Sequence, residues 1–204
     1  GLTSDFFERD EMRLPYILLA TVALAASANA ADIRSSVTQT DLPEAKRTAL
    51  GLYLSPNDAA AALEADPGIL FLDVRDPIEI NFVGHPTPMD AIVPFLIVKY
   101  EFDEKKGAYK AVPNPAFVTN VNDVMAREGF EKNHPVFVMC RSGDRSAKAA
   151  DVLAKAGYMS VWSLVEGFEG DKDESGARTV NGWRNAGLAW TYKLTPSQAW
   201  IPSK

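Results

Sequence analysis

The stretch of sequence that decides the fold is VFVMCRSGDRS, residues 136–146. Its apolar start predicts a buried β-strand over residues 135–139, which ends immediately before Cys140. The small and polar residues 141–144 predict a tight loop. A helix is predicted over residues 145–156, because alanine, valine and leucine side chains recur there at helical spacing. A strand, a short loop and a helix in this order are typical of an α/β fold.

Strands and helices also alternate on either side of this stretch. The sequence predicts helices over residues 55–65 and 114–127, strands over residues 69–74, 95–98 and 160–165, a loop over residues 84–94, and an exposed excursion or hairpin over residues 99–115. The predicted fold class is therefore α/β, a parallel sheet of about five strands with helices on both faces. Ligands of such sheets bind at the carboxyl ends of the strands, and Cys140 lies at one of these ends.

The surroundings of Cys140 suit a bound anion. Backbone N–H groups of the loop can converge on one point, and the following helix adds unpaired N–H groups and the positive end of its dipole. Arg141 and Arg145 add positive charge, and Gly143 allows a backbone conformation that a side chain would oppose. Because such surroundings favour the nucleophilic thiolate, we expect a reactive thiol rather than an inert core cysteine.

The composition excludes several kinds of site. The chain has one cysteine and two histidines, His85 and His134, so an internal disulfide and a cysteine-rich metal site are excluded. We expect no metal and no cofactor. A net charge of −6 argues against nucleic acid as a partner. Hydrophobic residues make up 47% of the chain, which is enough for a packed core.

Four short motifs resemble those of the rhodanese family of sulfurtransferases. CRSGDRS, residues 140–146, resembles the family's active-site loop, Cys-Arg-x-Gly-x-Arg-Ser. DVRDPIE, residues 73–79, resembles its Asp-Val-Arg-x-x-x-Glu signature, and the Gly-His pair at residues 84–85 matches the pair that follows it. Residues 165–190 resemble its closing region of glycines and tryptophans, expanded by an insertion. The resemblance spans residues 52–192 and implies one rhodanese-like domain.

The resemblance also implies the role of each residue. Cys140 takes up a sulfane sulfur and becomes a persulfide, from a small anionic donor such as thiosulfate. The acceptor is then a thiol, a cyanide-like nucleophile or a protein. The residues implied in substrate binding are Arg141, Ser142, Gly143, Asp144 and Arg145, and the implied supporting residues are Asp73, Arg75, His85 and Ser146. We interpret Asp73 and Arg75 as an exposed ion pair of little stabilising value, and His85 as a structural residue.

Two features depart from the family pattern. Where the family often has Gly-His-Ile-Pro-Gly-Ala, this chain has Gly-His-Pro-Thr-Pro-Met at residues 84–89, so we expect a reshaped entry to the site. The excursion over residues 99–115 is longer than a minimal domain needs. It could cover the pocket or bind a partner.

Other functions remain open at this point. Cysteine phosphatases also place an arginine beside a nucleophilic cysteine, but their loop is Cys-x5-Arg, whereas Cys140 and Arg145 form Cys-x4-Arg. The smaller ring suits a sulfur atom better than a phosphoryl group. The domain could also be a sulfur carrier without turnover, or a binding or structural subunit of a larger exported or membrane complex. The 99–115 excursion and the tryptophan-containing tail are then the candidate contact surfaces.

The N-terminal part of the chain resembles an export signal. A basic residue, an apolar run and a small-residue pattern follow one another over residues 12–30, which we interpret as a secretory signal peptide cleaved after Ala30. Residues 1–11 are acidic, unlike a signal, and are interpreted as upstream or added residues. Residues 31–51 are a lead-in segment and residues 193–204 a C-terminal tail. We expect a periplasmic or otherwise exported protein, with a retained membrane anchor as the alternative.

Overall fold

A five-stranded parallel sheet forms the centre of the computed structural model, which describes residues 32–202. In chain order the elements are β1 (Tyr53–Leu54), α1 (Pro56–Ala65), β2 (Leu70–Asp73), α2 (Pro77–Val83), β3 (His85–Pro86), β4 (Ala91–Ile92), β5 (Leu96–Asp103), β6 (Ala108–Pro113), α3 (Phe117–Glu128), β7 (Val136–Met139), α4 (Asp144–Lys155), β8 (Val161–Leu164) and β9 (Trp190–Thr191). Two short 3-10 helices, Gln39–Asp41 and Glu44–Lys46, precede them. The strand order is β1-β8-β7-β2-β4, and all neighbouring pairs are parallel.

Helices cover both faces of this sheet, so the predicted fold class is confirmed. Successive residues of β7 point to opposite faces. Val138 packs in the apolar cluster that includes residues of α3 and α4, whereas Phe137 packs in the cluster that includes residues of α1 and α2. Burial on both faces explains why β7 is continuously apolar rather than alternating.

The register of β2 and β7 brings two of the sequence motifs together. Asp73 is the register partner of Met139, and the Val74 N–H donates to the Met139 carbonyl at 2.8 Å. Residues 73–79 and 140–146 therefore leave the sheet side by side, at the carboxyl edge where ligands of parallel sheets bind.

Helix α2 was not predicted from the sequence. Seven residues are too few to show a helical period, but the ends of the helix carry clear signals. Asp76 and Glu79 form a reciprocal capping box, and Pro77 occupies the first turn. Gly84 ends the helix at a φ of +89°.

The segment between α2 and α3 also differs from the prediction. Residues 95–98 do not add a strand to the central sheet but begin β5, which pairs with β6 in an antiparallel hairpin. The hairpin alternative for residues 99–115 is thus the one observed. The predicted loop over residues 84–94 contains β3 and β4, and β4 pairs with β2 at one edge of the central sheet. The sequence predicted neither β4 nor β1, the strand at the opposite edge.

The C-terminal segment lies along the β4 edge of the sheet. The Ile92 N–H donates to the Gln198 carbonyl at 2.9 Å, and Gln198 Nε2 donates to the Met89 carbonyl at 2.6 Å. Trp200 Nε1 donates to Asn120 Oδ1 at 3.1 Å. The segment predicted as a tail therefore packs against the domain and covers an edge that would otherwise present unpaired backbone groups.

The segments interpreted as added residues (1–11) and as a signal peptide (12–30) lie outside the described residues. Within residues 32–202, no helix has the length and apolar character needed to cross a membrane.

Candidate active site

Cys140 follows the central strand β7 and is only 1% exposed. The Gly143 N–H donates to the Cys140 sulfur at 3.1 Å, and the Ser146 hydroxyl lies 3.7 Å from the same sulfur. The Phe168 N–H donates to the Cys140 carbonyl at 2.8 Å. A donor directed at the sulfur can stabilise negative charge that develops there during a reaction.

The loop after Cys140 offers further backbone donors. The N–H groups of Arg141, Ser142, Asp144 and Arg145 find no acceptor among residues 32–202. Those of Asp144 and Arg145 belong to the first turn of α4, where N–H groups have no partner within the helix and the dipole is positive. Such groups are the ones that bind an anion at a helix N-terminus.

Two glycines allow the loop to close this tightly. Gly143 has a φ of +104°, and a Cβ atom there would lie 2.1 Å from the Val165 carbonyl oxygen. A Cβ atom on Gly167 would lie 2.5 Å from the Ser142 nitrogen. The segment that follows β8 therefore presses directly on the back of the loop, and a side chain at either position would force the two apart.

Ser146 holds the loop from inside the first turn of α4. Its hydroxyl donates to the Gly143 carbonyl at 2.9 Å and accepts from the Ser163 hydroxyl at 3.1 Å. Both serine side chains are fully buried. Ser146 thus connects the loop to β8 through hydrogen bonds.

Arg145 forms a bidentate ion pair with Glu79 of α2. Its Nη1 and Nη2 atoms lie 2.6 and 2.7 Å from the Glu79 carboxylate oxygens. Burial opposes the charge on each partner, but the mutual hydrogen bonds and charges outweigh burial, so the pKa of Glu79 is lowered and that of Arg145 is raised. Arg145 is therefore charged, and its ion pair joins the first turn of α4 to α2.

Arg141 is held by a carboxylate that sequence reasoning missed. Its Nε donates to Glu169 Oε2, and Arg184 Nη2 approaches Glu169 Oε1 at 3.4 Å. The backbone is joined here as well, because the Glu169 N–H donates to the Arg141 carbonyl at 3.0 Å. The structure thus places a second cation, Arg184, in the charge cluster beside the loop.

The Asp73–Arg75 ion pair is buried, not exposed as predicted. Both side chains are 0% exposed, and Arg75 Nη2 lies 2.6 Å from Asp73 Oδ2. The same Nη2 donates to the Gly84 carbonyl at 2.8 Å, and the guanidinium lies over the Phe168 ring at 4.5 Å. The prediction was wrong because polar residues at a strand end usually face solvent, whereas α2 and Phe168 cover this pair. Removing one partner of a buried pair leaves an uncompensated charge, so the pair joins β2 to the end of α2.

His85 does not reach the thiol through any hydrogen bond. Its Nδ1 lies 2.8 Å from the Pro86 carbonyl and its Nε2 lies 3.1 Å from the Lys193 carbonyl. The ring is fully buried where β3 pairs with β9. Both ring nitrogens of His85 are thus engaged with backbone carbonyl groups.

The arginines beside the loop carry less unbalanced charge than the sequence suggested. Arg141, Arg145 and Arg75 each have a carboxylate partner, and Asp144 is exposed in the first turn of α4. Attraction for an anion therefore depends on the loop N–H groups and the α4 dipole more than on net side-chain charge. Ser142 is half-buried within the loop.

The sequence did not predict Glu79, Glu169 or Arg184 as residues of the site, and the local signals for them differ. Glu79 belongs to the DVRDPIE motif, and its capping-box spacing from Asp76 marks it as part of a helix start. Glu169 and Arg184 lie in the glycine-rich closing region, and nothing local indicates that they meet Arg141. Among residues 32–202, no group of three or more His, Cys, Asp or Glu side chains is placed to hold a metal ion.

Several known proteins resemble this chain in sequence or in fold. Thiosulfate sulfurtransferase GlpE of Tolumonas auensis is 31% identical over 111 residues, which cover 54% of this chain and 79% of that protein. Protein RP600 of Rickettsia prowazekii is 35% identical over 57 residues, 28% of this chain. The chain spans less than half, 42%, of the length of that relative.

The crystal structure of Rv0390 from M. tuberculosis superimposes with a TM-score of 0.55 at 29% identity, covering 69% of this chain and 97% of that one. The sequence profile of the family described as "Rhodanese-like domain" matches residues 55–174, more than half of the chain. This match includes the Cys140 loop and the Asp73–Glu79 segment beside it. The chain belongs to the family of rhodanese-like domains, which includes sulfurtransferases.

Proposed function

We propose that the protein is a sulfurtransferase that carries sulfur on Cys140 from a small anionic donor to a nucleophilic acceptor. The Cys140 thiolate attacks the outer sulfur of a donor such as thiosulfate. A sulfur–sulfur bond to Cys140 forms, the sulfur–sulfur bond of thiosulfate breaks, and sulfite leaves with the bonding electron pair. A thiolate or cyanide then attacks the outer sulfur of the persulfide, and Cys140 is released as a thiolate.

The observation that carries the proposal is the Gly143 N–H directed at the Cys140 sulfur at 3.1 Å, beside the first turn of α4. The proposed reaction uses negative charge on the Cys140 sulfur in the first attack and places negative charge on the outer sulfur of the persulfide that forms. Donors that are fixed in place before reaction stabilise such charge without reorganisation. The name of the Tolumonas auensis relative, thiosulfate sulfurtransferase, supports thiosulfate as the donor.

The acceptor must come from outside the chain. Cys140 is the only cysteine in the sequence, so no second thiol can resolve the persulfide within the molecule. A small thiol, a cyanide-like nucleophile or a partner protein presenting a thiolate all meet this chemical requirement.

The test uses the purified protein with thiosulfate and cyanide. We expect thiocyanate to form, and we expect the intact mass to rise by one sulfur atom when cyanide is omitted. Cys140→Ser should abolish both signals, whereas Glu128→Gln, a surface change at the end of α3, should retain both. Equal behaviour of the wild type and Cys140→Ser would contradict the proposal. An added sulfur without thiocyanate would favour a carrier that passes its sulfur to a specific partner.

We also propose that this chemistry takes place outside the cytoplasm, on the strength of the signal-like pattern over residues 12–30. N-terminal sequencing of the protein recovered from the periplasm should give a start at Ala31. A start at Gly1 or Met12 in that fraction, or recovery in the cytoplasm alone, would contradict a cleaved signal.

A further inference from the structure

A charge cluster of Arg141, Glu169 and Arg184 lies beside the Cys140 loop. The Glu169 side chain is 10% exposed and lies between the two guanidinium groups. The Arg141 side chain is 45% exposed and the Arg184 side chain 30% exposed. A nearly buried carboxylate thus holds a half-exposed arginine that follows directly after the reactive cysteine.

Glu169 is the fixed member of this cluster. Its backbone N–H donates to the Arg141 carbonyl at 3.0 Å, and its carbonyl accepts from Asn185 Nδ2 at 3.0 Å. Both carboxylate oxygens are engaged as well, one by each arginine. These two backbone hydrogen bonds hold the Glu169 main chain beside the loop, so the carboxylate can move only by rotation of its own side chain.

Arg184 is also held in place. Its N–H donates to the Phe168 carbonyl at 3.0 Å, and its guanidinium lies 5.9 Å from the ring centroids of Phe168 and Trp190. Its longer contact with Glu169, 3.4 Å, leaves room for the pair to tighten. Arg184 can therefore compensate Glu169 when Arg141 is elsewhere.

We propose that Glu169 sets the selectivity of the Cys140 site against strongly anionic donors by competing for Arg141, and that Arg184 acts as a positioning residue that releases Arg141. A nearly buried carboxylate with Arg141 as its sole partner would hold that arginine firmly, since separation would leave the charge uncompensated. With Arg184 present, Arg141 can turn to a donor. This inference rests on the proposed function for its physiological meaning, but its test does not need turnover.

The test compares how fast Cys140 reacts with iodoacetate and with iodoacetamide. The two reagents are similar in size and differ in charge, so the ratio of their rates cancels the exposure and the thiolate fraction of the cysteine. Because Cys140 is the only cysteine, intact mass reports its alkylation alone. The variants are Glu169→Gln, Arg184→Gln, Arg184→Lys and the double variant, with Glu128→Gln as the control. Glu128 also pairs with an arginine, Arg127, at 2.9 Å, but at the C-terminal end of α3.

We expect Glu169→Gln to raise the iodoacetate-to-iodoacetamide ratio about threefold to tenfold, an order-of-magnitude value for removing one unit charge close to a reacting group. Glu128→Gln should leave the ratio within about 1.5-fold of the wild type, because the charge is distant and screened. Equal ratios for the Glu169→Gln and Glu128→Gln variants would overturn the selectivity role of Glu169.

Arg184→Gln should lower the iodoacetate-to-iodoacetamide ratio below that of the wild type. Arg184→Lys, which keeps the positive charge, should keep most of the wild-type ratio. In the Glu169→Gln background, Arg184→Gln should have little further effect, because Arg184 acts through the carboxylate that has been removed. Additive effects would show that Arg184 acts only by its own charge and would overturn its positioning role.

If the wild type forms thiocyanate, Glu169→Gln should lower the KM for thiosulfate with little change in kcat. A wild type without turnover would contradict the proposed function while leaving the alkylation result intact.

Discussion

Arg145 and Glu79 join two motifs that lie 66 residues apart in the sequence. Arg145 Nη1 and Nη2 lie 2.6 and 2.7 Å from the two Glu79 carboxylate oxygens. Each side chain is about one-fifth exposed, 22% for Arg145 and 21% for Glu79. The pair connects the first turn of α4 to α2 across the carboxyl edge of the sheet. The position of the Cys140 loop therefore depends on a residue outside it.

Glu79→Gln should weaken this connection. The amide can keep a hydrogen bond to Arg145 but not the charge, so we expect the free energy of unfolding at neutral pH to fall by about 1–3 kcal/mol, between the values for exposed and buried pairs. Urea unfolding measures the change. The exposed control Glu128→Gln should cost less than about 0.5 kcal/mol. Similar losses for the two variants would show that the Arg145–Glu79 pair stabilises the fold no more than an exposed ion pair does.

The contribution of Glu79 should also depend on pH with a definite sign. Burial acts to raise the pKa of Glu79, but the hydrogen bonds and charge of Arg145 outweigh burial and hold this pKa below its ordinary value of 4.5. A carboxyl group with a lowered pKa in the folded state stabilises the fold fully above pH 4.5 and loses this contribution as the pH falls through the folded-state value. The stability gap between the wild type and Glu79→Gln should therefore shrink in acid. A gap that widens below pH 4.5 would contradict this account.

Gly143→Ala should be far more damaging than Gly176→Ala. Both glycines have a positive φ, +104° and +87°, so each alanine carries a conformational cost of about 1–2 kcal/mol. Only Gly143 adds a collision, because its Cβ would lie 2.1 Å from the Val165 carbonyl oxygen, whereas a Cβ on Gly176 meets no atom within 4 Å. We expect Gly143→Ala to slow alkylation of Cys140 by iodoacetamide and to lower the unfolding midpoint well below that of Gly176→Ala. Equal midpoints would show that the loop can move away from β8 at no cost.

The fold class and the Cys140 loop could be predicted because their signals are local. β7 is a continuous apolar run, and the loop residues lie next to one another in the sequence. The partners of the loop arginines could not be predicted, because Glu79 and Glu169 reach Arg145 and Arg141 across 66 and 28 residues. These pairs depend on the register of β2 with β7 and on the path of the chain after β8, which no local pattern specifies.

Burial of the Asp73–Arg75 pair escaped prediction for a related reason. Charged residues at a strand end normally face solvent, and here α2 and the Phe168 ring cover them. Helix α2 was itself missed because its seven residues carry capping signals but no period. The two errors share one cause, since the cover for the ion pair includes an element that was not predicted.

The β5–β6 hairpin should be dispensable for folding. Tyr100 is 94% exposed, Phe102 60% and Tyr109 63%, so they bury little apolar surface within the described part of the chain. Replacing residues 100–109 with a two-residue turn keeps the Val98 N–H bond to Asp76 at 2.9 Å. We expect the free energy of unfolding to change by less than about 1 kcal/mol and the alkylation rate of Cys140 to stay the same. A faster rate in the shortened protein would show that the hairpin covers the site.

The C-terminal segment should behave as part of the domain. Trp200 packs against the apolar cluster that includes residues of α1 and α2, and its Nε1 donates to Asn120 Oδ1 at 3.1 Å. The neighbouring Ile201 is 80% exposed. Trp200→Ala removes apolar burial and a hydrogen bond, so we expect a loss of about 2–4 kcal/mol in the free energy of unfolding. Ile201→Ala should cost less than about 0.5 kcal/mol, because its side chain is already solvated. Denaturant unfolding of the two variants in parallel measures the difference. Equal midpoints would mean that the segment from residue 193 onward is a separate tail that leaves the β4 edge open in solution.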